Sequence, residues 1–502
     1  MARSSPGVGY GSGRITGRVA EPIVMIDSTV LDVSVGEVSI PKGTATLIYS
    51  GNQVTARDLN VAYGLGAITG NVQLELDSQR LTGLLRGNDL FVADLVPQLP
   101  IVGKIGAEEV TLSGTISEPL LSGRMTGRDI LVEGVELAGV VADLKVNGSQ
   151  VQFENAVAKI GAGTVSASGM VGIASGTGRV EFAIENLPLD KLPVDQELVE
   201  LAGEVDGEGI FETDATGAWV GSSTLRFEGT EVNDFDAGSG VLQVGIRDGL
   251  VTLSGGLSSL QGLVEVPEAI YGLESGDVRG ELWVTNLEVA GVLRAASRQI
   301  RLPDIQSERV VRDLEGLVSA EIAFNKSGED WRVDVRSLVG QKFESLGRQL
   351  GNIELQGVGS ANEVTLAKLE WRIPAEEDGR ESLATIKGDW KRSEESDFVS
   401  ITGRFVEFDP YVLSLLAEDV PEFHADVNAD FIVEGDTKNL VGQASAEVSG
   451  VQIRGEEGRL IDLPIEANLS GIEFANDQFD ILGKLKFRGI EGDLVVMIPS
   501  PL

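Results

Sequence analysis

Few residues of this chain have side chains that could perform chemistry. His424 is the single histidine, so it is the one imidazole available as a general base. No cysteine is present, which excludes disulfides, thiolate nucleophiles and zinc or iron–sulfur centres held by cysteine. The sequence also contains no nucleophile motif, no glycine-rich phosphate loop and no metal-ligand spacing. We therefore expect no catalytic residue, no cofactor and no metal.

Carboxylates are the remaining candidates, because the chain has 78 Asp and Glu. Adjacent pairs occur at Glu108-Glu109, Glu376-Glu377 and Glu456-Glu457. Neighbouring residues on a strand point to opposite faces, so such a pair is poorly placed to act as a catalytic dyad. We expect these pairs to be solvated charges, and His424 to point outward with Asp426. A β-helix enzyme that acts on polysaccharides is the least favoured alternative.

The charge balance excludes one class of partner. With 40 Lys and Arg against 78 Asp and Glu, the formal charge of the 502 residues is −38. Nucleic-acid binding depends on cations that displace counterions from phosphates, so nucleic acid is not an expected partner. Hydrophobic residues make up 42% of the chain, too many for a disordered protein. No stretch has the pattern of a secretory signal or of a transmembrane helix.

An internal repeat organises the sequence. A short alternating strand, a tight turn and a second strand recur along the chain, and the first apolar residues after the turns are 97, 100, 113 and 115 residues apart. These anchors are Val54, Val151, Val251, Val364 and Phe479. The spacing predicts one continuous β-repeat array over residues 1–502. Its approximate units are 1–87, 88–184, 185–284, 285–405 and an incomplete 406–502.

A second landmark keeps the same register. Apolar segments that we predict to lie outside the strands begin at Leu90, Leu187, Leu287 and Phe408, which follow the hairpin anchors by 36, 36, 36 and 44 residues. These segments are expected to form short amphipathic helices between the repeats. The clearest begins at Asp409-Pro410, an N-cap residue followed by proline at the first helical position.

Within each unit the hydrophobic period is two. Ala425, Val427, Ala429 and Phe431 alternate with polar residues, as in a half-buried antiparallel strand. Asn147-Gly148 and Asp248-Gly249 predict hairpins with type I′ turns, in which both central residues have positive φ. At ten to twelve residues per strand and turn, the chain would hold about forty strands.

A sheet of this kind with one apolar face must curl in water. The inward positions are mostly small aliphatic residues with much glycine, which favours a groove that a ligand fills over a dry, self-packed solenoid, the alternative that stays open. The fold class predicted is an all-β, elongated and curled antiparallel sheet, a hydrophobic groove or β-taco. Its candidate groove-lining residues are Leu144, Val146, Val151, Phe153, Val333, Val335, Val427, Phe431, Val433, Leu485 and Phe487.

The segment from Leu112 to Gly169 resembles the repeat of TamB-like and AsmA-like proteins. Its Gly114, Pro119 and Gly123 match the family pattern of glycine, proline, an apolar pair and glycine. The first half of the pattern recurs at Gly17 and Pro22 without the downstream glycine, and near 435–442 the proline is replaced. The resemblance covers nearly the whole chain. No single motif is specific to the family, but the combination of motifs is.

This resemblance implies an envelope protein of a diderm bacterium, located in the periplasm. It implies passage of glycerophospholipids between the inner and outer membranes along a groove, and a link to outer-membrane protein assembly. The expected partners are phospholipid acyl chains, an outer-membrane assembly barrel and an inner-membrane anchor supplied by further segments. The chain is expected to be an internal fragment of a longer protein. The alternative is an extracellular or surface β-solenoid adhesin or scaffold, which would share the acidic, repetitive composition but have a dry interior.

Overall fold

The strands account for most of the chain in the computed structural model. The described residues are 8–19, 21–35, 38–92, 101–132, 134–172, 175–192, 200–214, 216–233, 235–259, 262–290, 314–345, 348–374, 381–393, 396–412, 423–436, 439–454, 460–475, 478–487 and 490–499.

All thirty strands belong to one antiparallel sheet. The first twelve are β1 Val8–Arg18, β2 Glu21–Val35, β3 Val38–Ser50, β4 Gln53–Tyr63, β5 Gly66–Glu75, β6 Arg80–Phe91, β7 Ile101–Gly114, β8 Pro119–Val132, β9 Val135–Asn147, β10 Gln150–Ile160, β11 Gly163–Gly172 and β12 Gly178–Pro188. The next twelve are β13 Leu201–Thr213, β14 Trp219–Val232, β15 Phe235–Arg247, β16 Leu250–Ser259, β17 Gly262–Gly272, β18 Val278–Glu288, β19 Glu315–Ser327, β20 Asp330–Ser345, β21 Arg348–Ser360, β22 Glu363–Pro374, β23 Glu381–Lys391 and β24 Phe398–Phe408. The last six are β25 Phe423–Asp436, β26 Asn439–Arg454, β27 Leu460–Asp462, β28 Ile465–Ala475, β29 Gln478–Phe487 and β30 Ile490–Pro499.

Neighbours in the chain are neighbours in the sheet. Consecutive strands pair from β1 to β13 and from β16 to β26, and β26 pairs with both the short β27 and β28. Among the described residues β1 pairs with β2 alone and β30 with β29 alone, so the sheet is not closed. The all-β antiparallel class is confirmed. The expectation of about forty strands is wrong, because apart from β27 the strands are 10 to 16 residues long.

The strands recur in groups of six. The first four hairpin anchors are the second residues of β4, β10, β16 and β22, which are six strands apart. The fifth anchor, Phe479, holds the same position in β29, which is the fourth long strand of its group because the three-residue β27 intervenes. The predicted unit boundaries stay a prediction. The six-strand period sets the length of a repeat, but it does not determine at which residue a unit begins.

The contacts between Cα atoms divide the protein into two compact units. The first unit comprises 1–197, 201–228 and 243–249, and the second comprises 198–200, 229–242 and 250–502.

Bulges interrupt the strands at recurrent places. The pairing register shifts next to Asp89, Asn186, Asn286 and Glu407, and each of these residues has a φ between 47° and 52°. Non-glycine residues rarely adopt this left-handed conformation, and such bulges bend a strand and re-aim the side chains that follow. The residue after each bulge is a buried apolar one: Leu90, Leu187, Leu287 and Phe408.

These four residues are the second sequence landmark, and the structure corrects its interpretation. We expected them to open segments outside the strands, but each lies in the last three residues of β6, β12, β18 or β24. The helical residues come later, at Val92, Val289–Ala290 and Tyr411–Val412, and the rest of these three predicted helices lies outside the described residues. After Pro188 the chain forms a 3₁₀ turn, Leu189–Lys191, and residues 193–199 likewise lie outside the described residues.

One of the two predicted type I′ turns is confirmed. Asp248 and Gly249 both have positive φ, 53° and 71°. At the other hairpin Asn147 pairs with Gln150, so the central residues are Gly148 and Ser149, and neither has positive φ. The prediction there was wrong by one residue, because the Asn147 side chain accepts hydrogen bonds from the turn and stabilises a different turn type.

Candidate functional site

An unbroken apolar row crosses the first unit at right angles to its strands. Each residue of the row is the direct cross-strand partner of the next, from β1 to β12. The row consists of Gly13, Ile26, Leu47, Ala56, Val72, Gly83, Leu112, Leu121, Val146, Val151, Val171 and Gly178. Every member is aliphatic or glycine, so no polar side chain interrupts this row over twelve strands. Two of the predicted groove residues, Val146 and Val151, are partners within it.

A second row runs beside the first. Leu144 pairs with Phe153, and the row continues on both sides of this pair. In chain order its members are Gly70, Leu85, Val110, Gly123, Leu144, Phe153, Gly169, Val180 and Phe211. From Leu85 onward, a glycine follows each of the first two pairs of large residues. A Cβ atom at Gly123 or Gly169 would overlap the backbone of the adjoining strand, so these glycines allow close approach of neighbouring strands.

The two rows line a cavity in the first unit. Its volume is about 220 Å³, and it opens on the apolar face over β5 to β9. The apolar side chains that line it are Ile68, Leu85, Leu90, Ile105, Ala107, Val110, Leu121, Met125, Leu144 and Val146. A concave, almost wholly apolar surface of this kind is a common form of ligand-binding site.

Only two of these lining residues were predicted from the sequence. Leu144 and Val146 were found because they directly precede a clear hairpin signal, Asn147-Gly148. The prediction missed Leu85, Leu121 and Met125. On β6, Leu81, Gly83 and Leu85 follow the same period of two as the residues that were predicted. Glycine within a strand hides the hydrophobic period, and this masked the signal.

The second unit has its own apolar row. It runs from Leu282 on β18 to Gly442 on β26 through direct cross-strand partners. Its members are Leu282, Ile322, Val335, Gly357, Leu366, Gly388, Ile401, Val433 and Gly442. The predicted residues Val335 and Val433 belong to this row, and Val333 is the partner of Phe324 beside it.

The remaining predicted residues lie on the same face of the later strands. Val427, Val448, Ala467 and Leu485 are successive cross-strand partners. The eleven predicted residues are half-buried with one exception: Phe487, which is 45% exposed. They are thus distributed over both units.

Phenylalanine rings cover glycines on this face. A Cβ at Gly403 would overlap the ring of Phe431 on the adjacent strand, and one at Gly280 would lie 2.8 Å from the ring of Phe324. Such pairs place an aromatic ring over exposed backbone and thereby stabilise strands that contain glycine. The Phe431 ring also contacts that of Phe405, with centroids 5.3 Å apart and an angle of 35° between the ring planes.

The apolar face is closed at the bulged ends of the strands. In the first unit Leu187, Leu189 and Val205 form a buried cluster, against which Ile160 and Leu225 pack. In the second unit the buried cluster is centred on Phe408, which is 2% exposed, and contains Val289, Phe343, Leu350, Ile373, Ala384 and Val412. These clusters are buried core. The half-buried rows near the hairpins are the part of the face that remains accessible.

The opposite face carries the charges. On β8 to β10 the ion pairs are Arg124 with Asp143 at 3.3 Å and Lys145 with Glu154 at 3.2 Å, all of them exposed. Such pairs contribute little to stability, and they hold cations and anions on one side of the sheet.

A tighter ion-pair network lies on β21 and β22. Glu354 and Glu370 are directly opposite each other, and the Lys368 Nζ lies between them at 2.8 Å and 3.0 Å. Hydrogen bonds from Lys368 and then from Arg372 lower the pKa of Glu370 below its ordinary value. Lys368 thereby offsets the repulsion expected of like charges in a cross-strand pair.

The chemistry-bearing side chains form no catalytic arrangement in the part of the chain that the structure describes. His424 was expected to point outward, but it is half-buried: its Nδ1 lies 2.7 Å from Asp409 Oδ2, and its ring stacks on Tyr411 at 4.3 Å. Asp409 Oδ1 accepts the Tyr411 N–H at 3.1 Å, as the predicted N-cap should. The imidazole therefore orients a capping carboxylate.

The acidic pairs give no site either. Glu108 and Glu109 are both exposed, whereas Glu376-Glu377 and Glu456-Glu457 lie outside the described residues. No group of acidic or histidine side chains within the described ranges could hold a metal ion. Within the same ranges, no helix has the length and hydropathy that crossing a membrane requires.

No protein-family model, no curated protein and no solved structure matches this chain.

Proposed function

We propose that this protein is a non-enzymatic groove for phospholipid acyl chains. The observation that supports this most is the unbroken row from Gly13 to Gly178, which has no polar side chain over twelve strands. Acyl chains need apolar surface and no directed hydrogen bonds, so a continuous aliphatic face suits them. The cavity of about 220 Å³ lies on this face and is lined almost wholly by apolar side chains.

Passage along such a face needs no chemical step. Acyl chains would contact the aliphatic rows while the polar head groups remain in water. Together with the resemblance to TamB-like and AsmA-like repeats, this supports a role in moving phospholipids between the inner and outer membranes from a periplasmic location. An outer-membrane assembly barrel and an inner-membrane anchor are the partners that this proposal includes.

Photo-crosslinking tests the binding part of the proposal. A photoreactive phenylalanine analogue is placed at Val146 on the apolar face, and at Lys145 on the charged face of the same strand as the matched control. After illumination in a bacterial envelope, the Val146 variant should carry covalently attached phospholipid, detected by mass spectrometry, and the Lys145 variant should not. Equal labelling at both positions, or none at Val146, would overturn the proposal.

A transfer assay tests passage. Fluorescent phospholipid moves from donor to acceptor vesicles in the presence of the purified chain, and Val146→Asp should slow this movement while Lys145→Asp should not. If the purified protein carries no phospholipid and transfers none, the adhesin or scaffold alternative becomes the better explanation.

A further inference from the structure

The hairpin between β9 and β10 contains an unusual combination of sequence and contacts. Asn147 is the one asparagine of the chain that is followed by glycine. Its Oδ1 accepts three hydrogen bonds: from the Gln150 N–H at 2.9 Å, the Ser149 N–H at 3.3 Å and the Ser149 hydroxyl at 3.4 Å. All the groups concerned are exposed to water.

We propose that Asn147 is a site of spontaneous deamidation, promoted by the turn in which it lies. The deprotonated backbone nitrogen of Gly148 attacks Cγ of Asn147 and forms a C–N bond, and its proton passes to solvent. The Cγ–Nδ2 bond then breaks, and the side-chain nitrogen takes up a proton from water and leaves as ammonia. Water subsequently opens the cyclic imide to give aspartate or isoaspartate. The net reaction consumes one water and releases one ammonia, without an oxidant or reductant.

Two features of the turn favour this reaction. Gly148 has no side chain to shield its nitrogen, and the position where a Cβ would stand has no neighbour within 4 Å. During the attack, negative charge develops on Oδ1, and donors already directed at an oxygen stabilise that charge without reorganisation.

A second turn of this protein shows the effect of such donors. Asp214 Oδ1 accepts the Thr216 hydroxyl at 2.6 Å, the Thr216 N–H at 2.8 Å and the Ala218 N–H at 3.0 Å. These hydrogen bonds, that of the Thr216 hydroxyl above all, lower the pKa of the Asp214 carboxyl. The same kind of donor set therefore stabilises negative charge at the corresponding oxygen.

The product would alter the hairpin that joins two partners of the apolar row. Asn147 and Gln150 are the last cross-strand pair before the turn, and Val146 and Val151 are the next. Isoaspartate inserts an additional methylene group into the main chain at residue 147, next to a two-residue turn whose length fixes the register of the strands it joins. Aspartate instead adds one negative charge and keeps the turn.

Peptide mass spectrometry of the full-length chain tests this inference. Trypsin cleaves after Lys145 and Lys159, so one peptide contains both Asn147 and Asn155, and Asn155 is an internal control. After incubation at mildly alkaline pH, Asn147 should gain about one dalton at least about tenfold faster than Asn155, a difference of about 1.4 kcal/mol in barrier. Equal rates at the two residues would overturn the proposal.

Two further comparisons separate the folded turn from the dipeptide sequence. Ser149→Ala removes the hydroxyl donor and leaves Asn147-Gly148 intact, and it should slow the reaction severalfold. Unfolding the chain in urea should also slow it, because the donors are then no longer directed at Oδ1. An unchanged rate in Ser149→Ala, or a faster rate in the unfolded chain, would mean that the fold does not promote the reaction.

Discussion

The side-chain Oδ1 of Asn428 accepts a hydrogen bond from the backbone N–H of Glu407 at 3.0 Å. Glu407 is the left-handed residue of a bulge at the end of β24, and Asn428 lies on the adjacent β25. The same kind of contact recurs at two other bulges. The backbone N–H of Asn186 donates to Asp206 Oδ1 at 2.7 Å, and the backbone N–H of Asn286 donates to the Ser319 hydroxyl oxygen at 3.0 Å. A polar side chain on the next strand thus satisfies a backbone N–H that the bulge removes from the regular pairing.

Removing this acceptor should loosen the bulge locally. We expect Asn428→Ala to cost about 1 kcal/mol, which corresponds to roughly fivefold faster amide exchange at Glu407. Hydrogen exchange with mass spectrometry measures this on the peptide that contains Glu407 and Phe408. Asn428→Asp keeps an acceptor at the same place and is the control. Unchanged exchange in Asn428→Ala would show that this hydrogen bond does not stabilise the bulge.

Phe408 should be a major determinant of stability in the second unit. Its ring is 2% exposed and lies 4.7 Å from that of Phe405 and 6.0 Å from that of Trp371. Phe408→Ala should destabilise the unit by about 3 to 5 kcal/mol through the cavity it leaves. Phe398→Ala, on the same strand at 45% exposure, is the matched control and should cost under about 1 kcal/mol. Urea unfolding monitored by tryptophan fluorescence measures the unfolding free energy of both variants. Similar losses of unfolding free energy in Phe408→Ala and Phe398→Ala would contradict this prediction.

The Gly403 and Phe431 pair should be energetically coupled. An alanine at 403 has to displace the Phe431 ring, so Gly403→Ala should destabilise the protein by about 1 to 3 kcal/mol. In a Phe431→Ala background the obstacle is absent, and the same change should cost at least about 1 kcal/mol less. The measurement is a double-mutant cycle on unfolding free energies. Strict additivity would mean that the ring does not lie over the glycine.

Glu370 should make stability sensitive to acid. Its pKa is lowered from the ordinary 4.5 in the folded protein, so its contribution is present above that value and is lost as the pH falls through the folded pKa. Between about pH 5 and pH 3, the wild type should therefore lose more stability than Glu370→Gln does. Glu268→Gln, which changes an exposed carboxylate, is the control and should lose as much as the wild type. Parallel pH profiles for wild type and Glu370→Gln would contradict the prediction.

The sequence predicted the sheet but not its bulges. Alternation places Val427 and Phe431 on one face because the period of a strand is two whatever the context. The left-handed residues at the bulges are Asp89, Asn186, Asn286 and Glu407. Three of them are Asp or Asn, the types that most often adopt this conformation, but these types are also frequent in turns, so residue type alone does not mark the bulges. Their positions depend on the acceptor of the neighbouring strand, which is distant in sequence. For this reason Leu90 and Phe408 were recognised as landmarks but were assigned to segments outside the strands.

The turn at Asn147 shows the same limit on a smaller scale. An Asn-Gly pair is compatible with two turns that differ by one residue. The hydrogen bonds that Asn147 accepts from Ser149 and Gln150 accompany the observed one. The cap at Asp409 was predictable because the accepting carboxylate of Asp409 and the donating N–H of Tyr411 are only two residues apart in the sequence.

The six-strand period has a consequence for how such a chain can change its length. Six is an even number, so in an antiparallel sheet the chain leaves β6 and β12 of the first unit at the same rim, as it leaves β18 and β24 of the second unit at a common rim. Duplication or loss of a whole group would extend or shorten a sheet by about 29 Å, at about 4.8 Å per strand, and leave the rim and the apolar face where they were. Duplication of an odd number of strands would send the next connecting segment to the opposite rim, away from the buried clusters at the bulged strand ends. Growth by whole groups is therefore the route that preserves both faces.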